Sequence, residues 1–353
     1  AIFFNLNSAE TSDEIQRIAR EVSPLLTAYS NDIWLNEQLF ERVKSVYENK
    51  GSLTLRPDQE KLLSDTYKAF VRRGALLSNE EKETYRGLTT ELAQLSLEFG
   101  ENLLAETNDY KLHITDQKDL SGLPDAVVEA AAMLAKSESK EGWMFSLHAP
   151  SMIPFMKYAD NRALREEIFR ASSSRGNRGN DRDNNQLVLR QVELRLQIAK
   201  LLGFNSYADY VLEERMAQSA LKVNQFLDQL FIKSFPFAQK DVEEVAAFAK
   251  KEGLEGPLQR WDFAYYSEKL KNSRFDLNEE LVKPYFELQR ITDGVFDLTH
   301  KLWGLTYKLN TEIPVYHPDV QAYEVFDRDG SFLSVLYMDF HPRKSKQGGA
   351  WMT

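Results

Sequence analysis

Five histidines, His113, His148, His300, His317 and His341, are the side chains whose charge changes near neutral pH. No two stand four residues apart, so no helix carries the His-Glu-x-x-His pair that grips a metal from one face. None is flanked by a metal-ligand cluster, and a lone histidine reads as a structural or surface residue. The Gly-x-Ser-x-Gly elbow and the Gly-x-x-x-x-Gly-Lys-Ser/Thr phosphate loop are absent as well. The acidic pairs Glu213-Glu214, Glu243-Glu244 and Glu279-Glu280 are adjacent on helical stretches, so their carboxylates diverge and read as solvated faces. There is no cysteine, which removes thiolate nucleophiles, thiolate metal sites and disulfides together.

Two stretches are less bland, and a third is a polar loop read first as solvated. Trp261-Asp262-Phe263-Ala264-Tyr265-Tyr266 gathers aromatic rings around one carboxylate. It reads as a helix start capped by Asp262, or as a substrate-facing surface on which tyrosine hydroxyls meet a peptide. Gly348-Gly349-Ala350 follows a strand-like run. Successive glycines there let another backbone come close, and an open strand edge binds extended peptide by adding a strand; the alternative is a flexible loop. Arg175, Arg178 and Arg182 sit in a polar loop rich in Ser, Asn and Gly, read as an anion clamp or as a solvated loop with arginines paired to Asp181 and Asp183.

The elements that must position these stretches are mostly helical. Ser78 with Glu81 forms a capping box ahead of Tyr85, Leu88, Leu92, Leu95, Phe99 and Leu103, which recur every three or four residues. Thr11-Ser12-Asp13-Glu14 opens another helix, and helical patterns continue over 160–169, 186–202, 206–217, 222–250 and 295–302. Asp276 with Glu279 is a further capping signal. From Leu305 the texture turns to strands: alternation over 306–311, a short strand over 322–326, a turn at Asp329-Gly330, and a return strand over 332–340. The reading is a helical lobe over 1–304 and a small β segment over 305–353.

The 353 residues carry 44 basic and 54 acidic side chains, a net charge of -10. A net anion is a poor default partner for nucleic acid or an anionic membrane surface. No apolar run approaches the ~20 residues of a spanning helix, and no basic-then-apolar leader is visible at the start. Absent cysteine fits a reducing compartment, and a cytoplasmic location is expected.

Several motifs along nearly the whole length carry a family likeness. They include Ser78 to Glu81 and Leu97 to Leu104, Ser174-Arg175-Gly176-Asn177 with Asp183-Asn184-Asn185, and Leu194-Arg195. Further on come Ala199 to Phe204, Ser206 to Tyr210 and Met216-Ala217, then Trp261-Asp262 with Tyr265-Tyr266. His317 to Val320 and Tyr323 to Val325 fit too, and Tyr337-Met338-Asp339-Phe340 with Pro342-Arg343 and Lys346 is the most specific run. The chain resembles the thimet-oligopeptidase-like zinc metallopeptidases, and within them the bacterial peptidyl-dipeptidases.

That resemblance implies a mainly α fold, the channel-forming helical lobe of a zincin-type peptidase, with a small antiparallel sheet near the C-terminus. It implies hydrolysis of short peptides by one zinc ion, held by the histidines of His-Glu-x-x-His and a later glutamate. No position here matches one of those residues, so the expectation is no catalytic and no metal residue in this sequence, with the zinc helix beyond Thr353. The chain is then an interior piece of a longer enzyme, without activity by itself. What the resemblance carries over is support: Gly348, Gly349 and Ala350 along the edge of the substrate-aligning sheet, and Tyr265 and Tyr266 in the channel wall. The parent is expected to release C-terminal dipeptides from oligopeptides; an endo-acting oligopeptidase and a non-catalytic helical peptide-binding protein are the alternatives. Expected partners are short peptides, and self-association or a C-terminal piece that covers exposed apolar surface.

Overall fold

The computed structural model describes residues 2–352. Among them the chain forms fourteen α-helices: α1 (Ile2–Ala9), α2 (Asp13–Trp34), α3 (Glu37–Glu48), α4 (Pro57–Arg72), α5 (Asn79–Asp109), α6 (Asp125–Ser137), α7 (Ala149–Tyr158), α8 (Arg162–Ser173), α9 (Asn185–Leu201), α10 (Tyr207–Leu212), α11 (Ala220–Lys251), α12 (Arg260–Phe275), α13 (Glu279–Val282) and α14 (Leu288–Trp303). The strands are β1 (Lys111–Ile114), β2 (Trp143–Ser146), β3 (Thr306–Leu309), β4 (Gln321–Phe326) and β5 (Phe332–Met338). The fold is mainly α with a small antiparallel sheet near its end, as the sequence pattern and the family likeness imply.

The helix starts follow capping chemistry. Ser78 N donates to Glu81 Oε2 at 2.8 Å and Glu81 N to Ser78 Oγ at 3.3 Å, so the reciprocal box opens α5. At α12 the box is Gln259 with Asp262, and Gln259 N donates to Asp262 Oδ2 at 3.1 Å. Asp276 does not open a helix: it closes α12 in the left-handed region, φ 48°, which Asp tolerates better than most residues. Asn278 caps α13 instead, accepting from Glu280 N.

Compactness divides the chain into two units. One joins the chain up to Ser12 with Thr107–Ser174 and the chain from Lys240 on; the other joins Asp13–Glu106 with Arg175–Gln239. The change from helix to strand falls between Trp303 and Thr306, while compactness places β3, β4 and β5 together with α12 and α14 in the first unit.

In the first unit, β1 and β2 pair antiparallel with Lys111 opposite Ser146, and bury Leu112, Ile114 and Phe145 against Phe155 of α7 and Ile168 of α8. This hairpin encloses the whole of α6, a separation that short-range turn signals do not report. The second sheet runs in the order β3-β4-β5, all antiparallel. Ala322, Tyr323 and Val325 of the central strand are buried. Phe296 of α14 stacks on Tyr307 of β3 with centroids 3.9 Å apart and meets Tyr323 edge-on at 5.0 Å, which fixes α14 against this sheet. In the second unit, Leu35, Tyr85 and Ile198 form one core cluster, and Phe40, Phe70 and Ala75 another.

Candidate functional site: a sheet edge and its anchors

Strand β5 pairs with β4 on one side, and among the described residues no strand pairs with its other side. Its side chains are open as well: Phe332, Leu333, Val335 and Tyr337 are all exposed. An edge of this kind presents a row of free N–H and C=O groups, and native proteins normally blunt it with charge, proline or a bulge. Here the outward residues from Phe332 to Met338 include no charge and no proline. The hairpin that presents the edge closes at Asp327–Ser331: Gly330 N donates to Asp327 O at 2.9 Å, and Gly330 takes φ 83° where a side chain would be strained.

Beyond β5 the chain is fixed by one carboxylate. Asp339 accepts a forked pair from Arg343, Nη1 to Oδ1 and Nη2 to Oδ2, each at 2.8 Å. It also takes Lys346 Nζ at 3.0 Å and the Tyr316 hydroxyl at 3.1 Å. Burial alone would raise the Asp339 pKa, but the hydrogen bonds and charges of Arg343 and Lys346 outweigh it and bring it down to about 2. Lys346 Nζ donates further to Asp339 O at 2.7 Å. Arg343 reaches the chain's first helix, bonding Glu10 and the Ala9 carbonyl. Two backbone bonds complete the tie: Thr11 N to Ser345 O at 2.7 Å and Gln347 N to Ser8 O at 2.9 Å.

Gly348, Gly349 and Ala350 therefore leave a pinned loop and are themselves exposed. Gly349 has φ 105°, which disfavours any side chain. Gly348 has no such backbone demand, and no described atom lies within 4 Å of where its Cβ would stand. Neither backbone angle nor crowding within the described chain requires glycine at 348.

Tyr265 and Tyr266 are placed differently. Both are buried, in a cluster with Val245 and Ala249. The Tyr265 hydroxyl donates to Asp160 Oδ1 at 2.7 Å, and its ring lies under the Arg165 guanidinium at 4.0 Å. Burial, then the Asp160 bond, pushes the Tyr265 phenol well above its ordinary range. Among the described residues no hydrogen bond or ring contact joins either tyrosine to Gly348–Ala350.

The carboxylate inside the aromatic stretch has a role that sequence reasoning saw only in part. Asp262 does cap α12, but it is fully buried between Arg162 and Arg165. Arg165, also buried, directs its other donors at Ala159 O at 2.7 Å, Asp160 O at 3.1 Å and Trp261 O at 3.3 Å. The arginine-bearing loop has a similar hidden organiser. Glu106, 2% exposed, accepts from Gly176 N at 2.6 Å and Asn180 Nδ2 at 2.7 Å, with Arg178 Nε at 3.6 Å. Asp183, expected as an arginine partner, accepts backbone N–H groups of Gly179 and Asn185.

The five histidines are dispersed. His113 Nε2 lies 2.6 Å from Glu141 O, His300 Nδ1 lies 3.0 Å from Leu305 O, and His317 Nδ1 accepts from Asp319 N at 3.2 Å. Among the described residues no three of His, Asp and Glu converge as metal ligands would.

The family model for Peptidase family M3 matches residues 155–353, more than half of the sequence. The chain belongs to peptidase family M3. Oligopeptidase A of Escherichia coli strain K12 is 33% identical over 352 residues, 99% of this chain and 52% of the relative. A dipeptidyl carboxypeptidase of Salmonella typhimurium is 36% identical over 357 residues, 100% of this chain and 52% of the relative. Saccharolysin of Saccharomyces cerevisiae is 25% identical over 98% of this chain. The M3 chain spans about half the length of these curated relatives. The thimet-oligopeptidase-like resemblance is therefore correct, and identity divides evenly between the oligopeptidase and dipeptidyl carboxypeptidase names. Zinc, which that resemblance implies, finds no fitting ligand set among the described residues. Among the described residues no helix is long and apolar enough to cross a membrane.

Proposed function

We propose that this chain supplies the peptide-holding part of an M3 metallopeptidase acting on short peptides in extended form. The observation that supports the reading is the unpaired outer edge of β5, which continues through the Asp339-anchored loop to Gly348 and Gly349. A peptide laid along that edge gains main-chain hydrogen bonds along its length, and the glycines leave room for its backbone. Holding the scissile bond in one orientation is itself a large part of catalysis, because it removes rotational freedom before the reaction begins. For a protein of the relatives' length, the proposed reaction is release of C-terminal dipeptides in the cytoplasm, with zinc held by residues other than those described. Internal cleavage of oligopeptides is the competing reading.

Two measurements test this. The 353-residue chain is expected to bind a fluorescein-labelled extended octapeptide saturably in an anisotropy titration, and to show no turnover of a quenched peptide with zinc added. Chelator-sensitive cleavage by this chain would overturn the assignment of a holding role. Product mass spectrometry on the longer protein separates the two modes: dipeptides alone support dipeptide release, and internal fragments refute it.

A further inference from the structure

A cavity of about 260 Å³ is lined by residues of the first unit, none of them from β5. Val127, Ala131 and Leu134 of α6 with Met144 of β2 make the apolar part of its lining. Three cationic side chains also line it: Lys111 of β1, and Arg343 and Lys344 on the segment that follows Pro342. That segment is held in place, since Asn108 Nδ2 donates to Lys344 O at 2.8 Å and Lys344 pairs with Glu138.

The three cations are not equivalent. Arg343 is satisfied by Asp339 and Glu10, and Lys344 by Glu138. Lys111 alone has no carboxylate at ion-pair distance among the described residues; its Nζ bonds the Asn108 carbonyl and reaches Tyr110 O at 3.4 Å. Ser146, directly opposite Lys111 across the hairpin, lines the same cavity, as do Pro150 and Ser151 in the first turn of α7. The start of a helix carries partial positive charge, which adds to the cationic field. An apolar lining with one lysine that lacks an ion-pair partner among the described residues complements an apolar body ending in a negative group.

We propose that this cavity binds a small apolar monocarboxylate, its hydrocarbon body against α6 and Met144 and its carboxylate at Lys111. Burial, and then the neighbouring Lys344 charge, hold the Lys111 pKa below the ordinary lysine value; an anion beside it relieves both. The lining is predominantly apolar with a few convergent polar groups, the usual composition of a small-molecule site. Its size suits one branched or aromatic side chain rather than a peptide. This site shares no residue with β5 or Gly348–Ala350, so it stands whether or not the edge holds peptide. Pro342, Arg343 and Lys344 connect it to the loop after β5, which the fork from Arg343 to Asp339 anchors.

The probe is 4-methylpentanoate, compared with 4-methylpentanamide of the same shape and no charge. With the 353-residue chain labelled at methionine methyls, the carboxylate is expected to move the Met144 signal saturably, and the amide to bind at least tenfold more weakly. Lys111→Met keeps the aliphatic stem and is expected to lower carboxylate affinity by the same factor. Amide binding as tight as that of the carboxylate, an unchanged affinity in Lys111→Met, or no saturable shift of Met144 would each overturn the proposal. Should Lys111→Met fail to fold, the acid-against-amide comparison on the unaltered chain decides alone.

Discussion

Arg165 Nη2 donates to Asp262 Oδ1 at 3.1 Å, and both side chains are sealed from water at 1% and 0% exposure. Arg162 adds a fork to the same carboxylate, Nε at 3.0 Å and Nη2 at 2.8 Å. Burial acts to raise the Asp262 pKa, but these bonds and the Gln259 N–H outweigh it and hold it below the ordinary aspartate value. A buried pair of this kind is costly to break, because the survivor keeps its charge and loses its solvent: the penalty is about 3–5 kcal/mol. Asp262→Asn should therefore destabilise the chain by that order in urea unfolding. Combining it with Arg165→Met removes the stranded cation, so the double variant should be less destabilised than the sum of the singles. Simple additivity would show that the two side chains are not coupled.

Asp339 sets the acid limit of the anchored loop. Its folded pKa of about 2 lies below an unfolded value of about 3.9, so its contribution is complete above the latter. The contribution, roughly 2–3 kcal/mol, is lost as pH falls from the unfolded value through the folded one. Protection of the Thr11 and Gln347 amides, which bond across to Ser345 and Ser8, against hydrogen exchange relative to their intrinsic rates should fall in that window. In Asp339→Asn both amides should exchange faster already at pH 7, with the acid dependence between pH 4 and 2 flattened. Unchanged exchange in that variant would mean that the backbone bonds hold without the carboxylate.

The legible parts of this molecule are those encoded locally. The Ser78–Glu81 box, the run from Tyr85 to Leu103 and the Asp329-Gly330 turn all sit within a few residues of what they organise. The family likeness added the expectation of a substrate-aligning edge at Gly348–Ala350, which spacing alone left as a loop. What stayed hidden is long-range. Glu106 and Arg165 look like ordinary charges on amphipathic helices, and nothing near them in sequence says that each is buried against partners about 70 to 97 residues away. The Tyr265 hydroxyl reads as available until Asp160, 105 residues earlier, is seen beside it. Asp339, Arg343 and Lys346 lie in the most specific run of the likeness, yet their common purpose needs the fold.

The two glycines should separate cleanly. Gly349, at φ 105°, cannot take a side chain without strain, so Gly349→Val should cost about 1–2 kcal/mol locally and loosen the loop. Gly348 has open space around its missing Cβ, so Gly348→Val should leave the melting temperature unchanged while weakening peptide binding. Full affinity in Gly348→Val would remove that position from the peptide-holding edge.

Apolar side chains on α14 recur as Leu288, Ile291, Val295, Leu298 and Leu302, all exposed. Their spacing of three and four residues forms one continuous seam, the pattern that drives helices together. The chain should self-associate with rising concentration in sedimentation velocity, and Leu298→Glu should suppress it. A strictly monomeric sample at millimolar concentration would count against an uncovered seam.

The edge reading makes a periodic prediction. An antiparallel or parallel strand added to β5 bonds through alternate residues only, since successive residues point their N–H groups to opposite sides. A set of octapeptides, each N-methylated at one backbone position, should therefore alternate in affinity for this chain. Methylation of an inward N–H removes a hydrogen bond and inserts bulk into the gap of about 4.8 Å between strands, and should weaken binding about tenfold. Methylation of an outward N–H should change little. Uniform loss at every position, or none at any, would show that the peptide is held by its side chains instead of by the outer edge of β5.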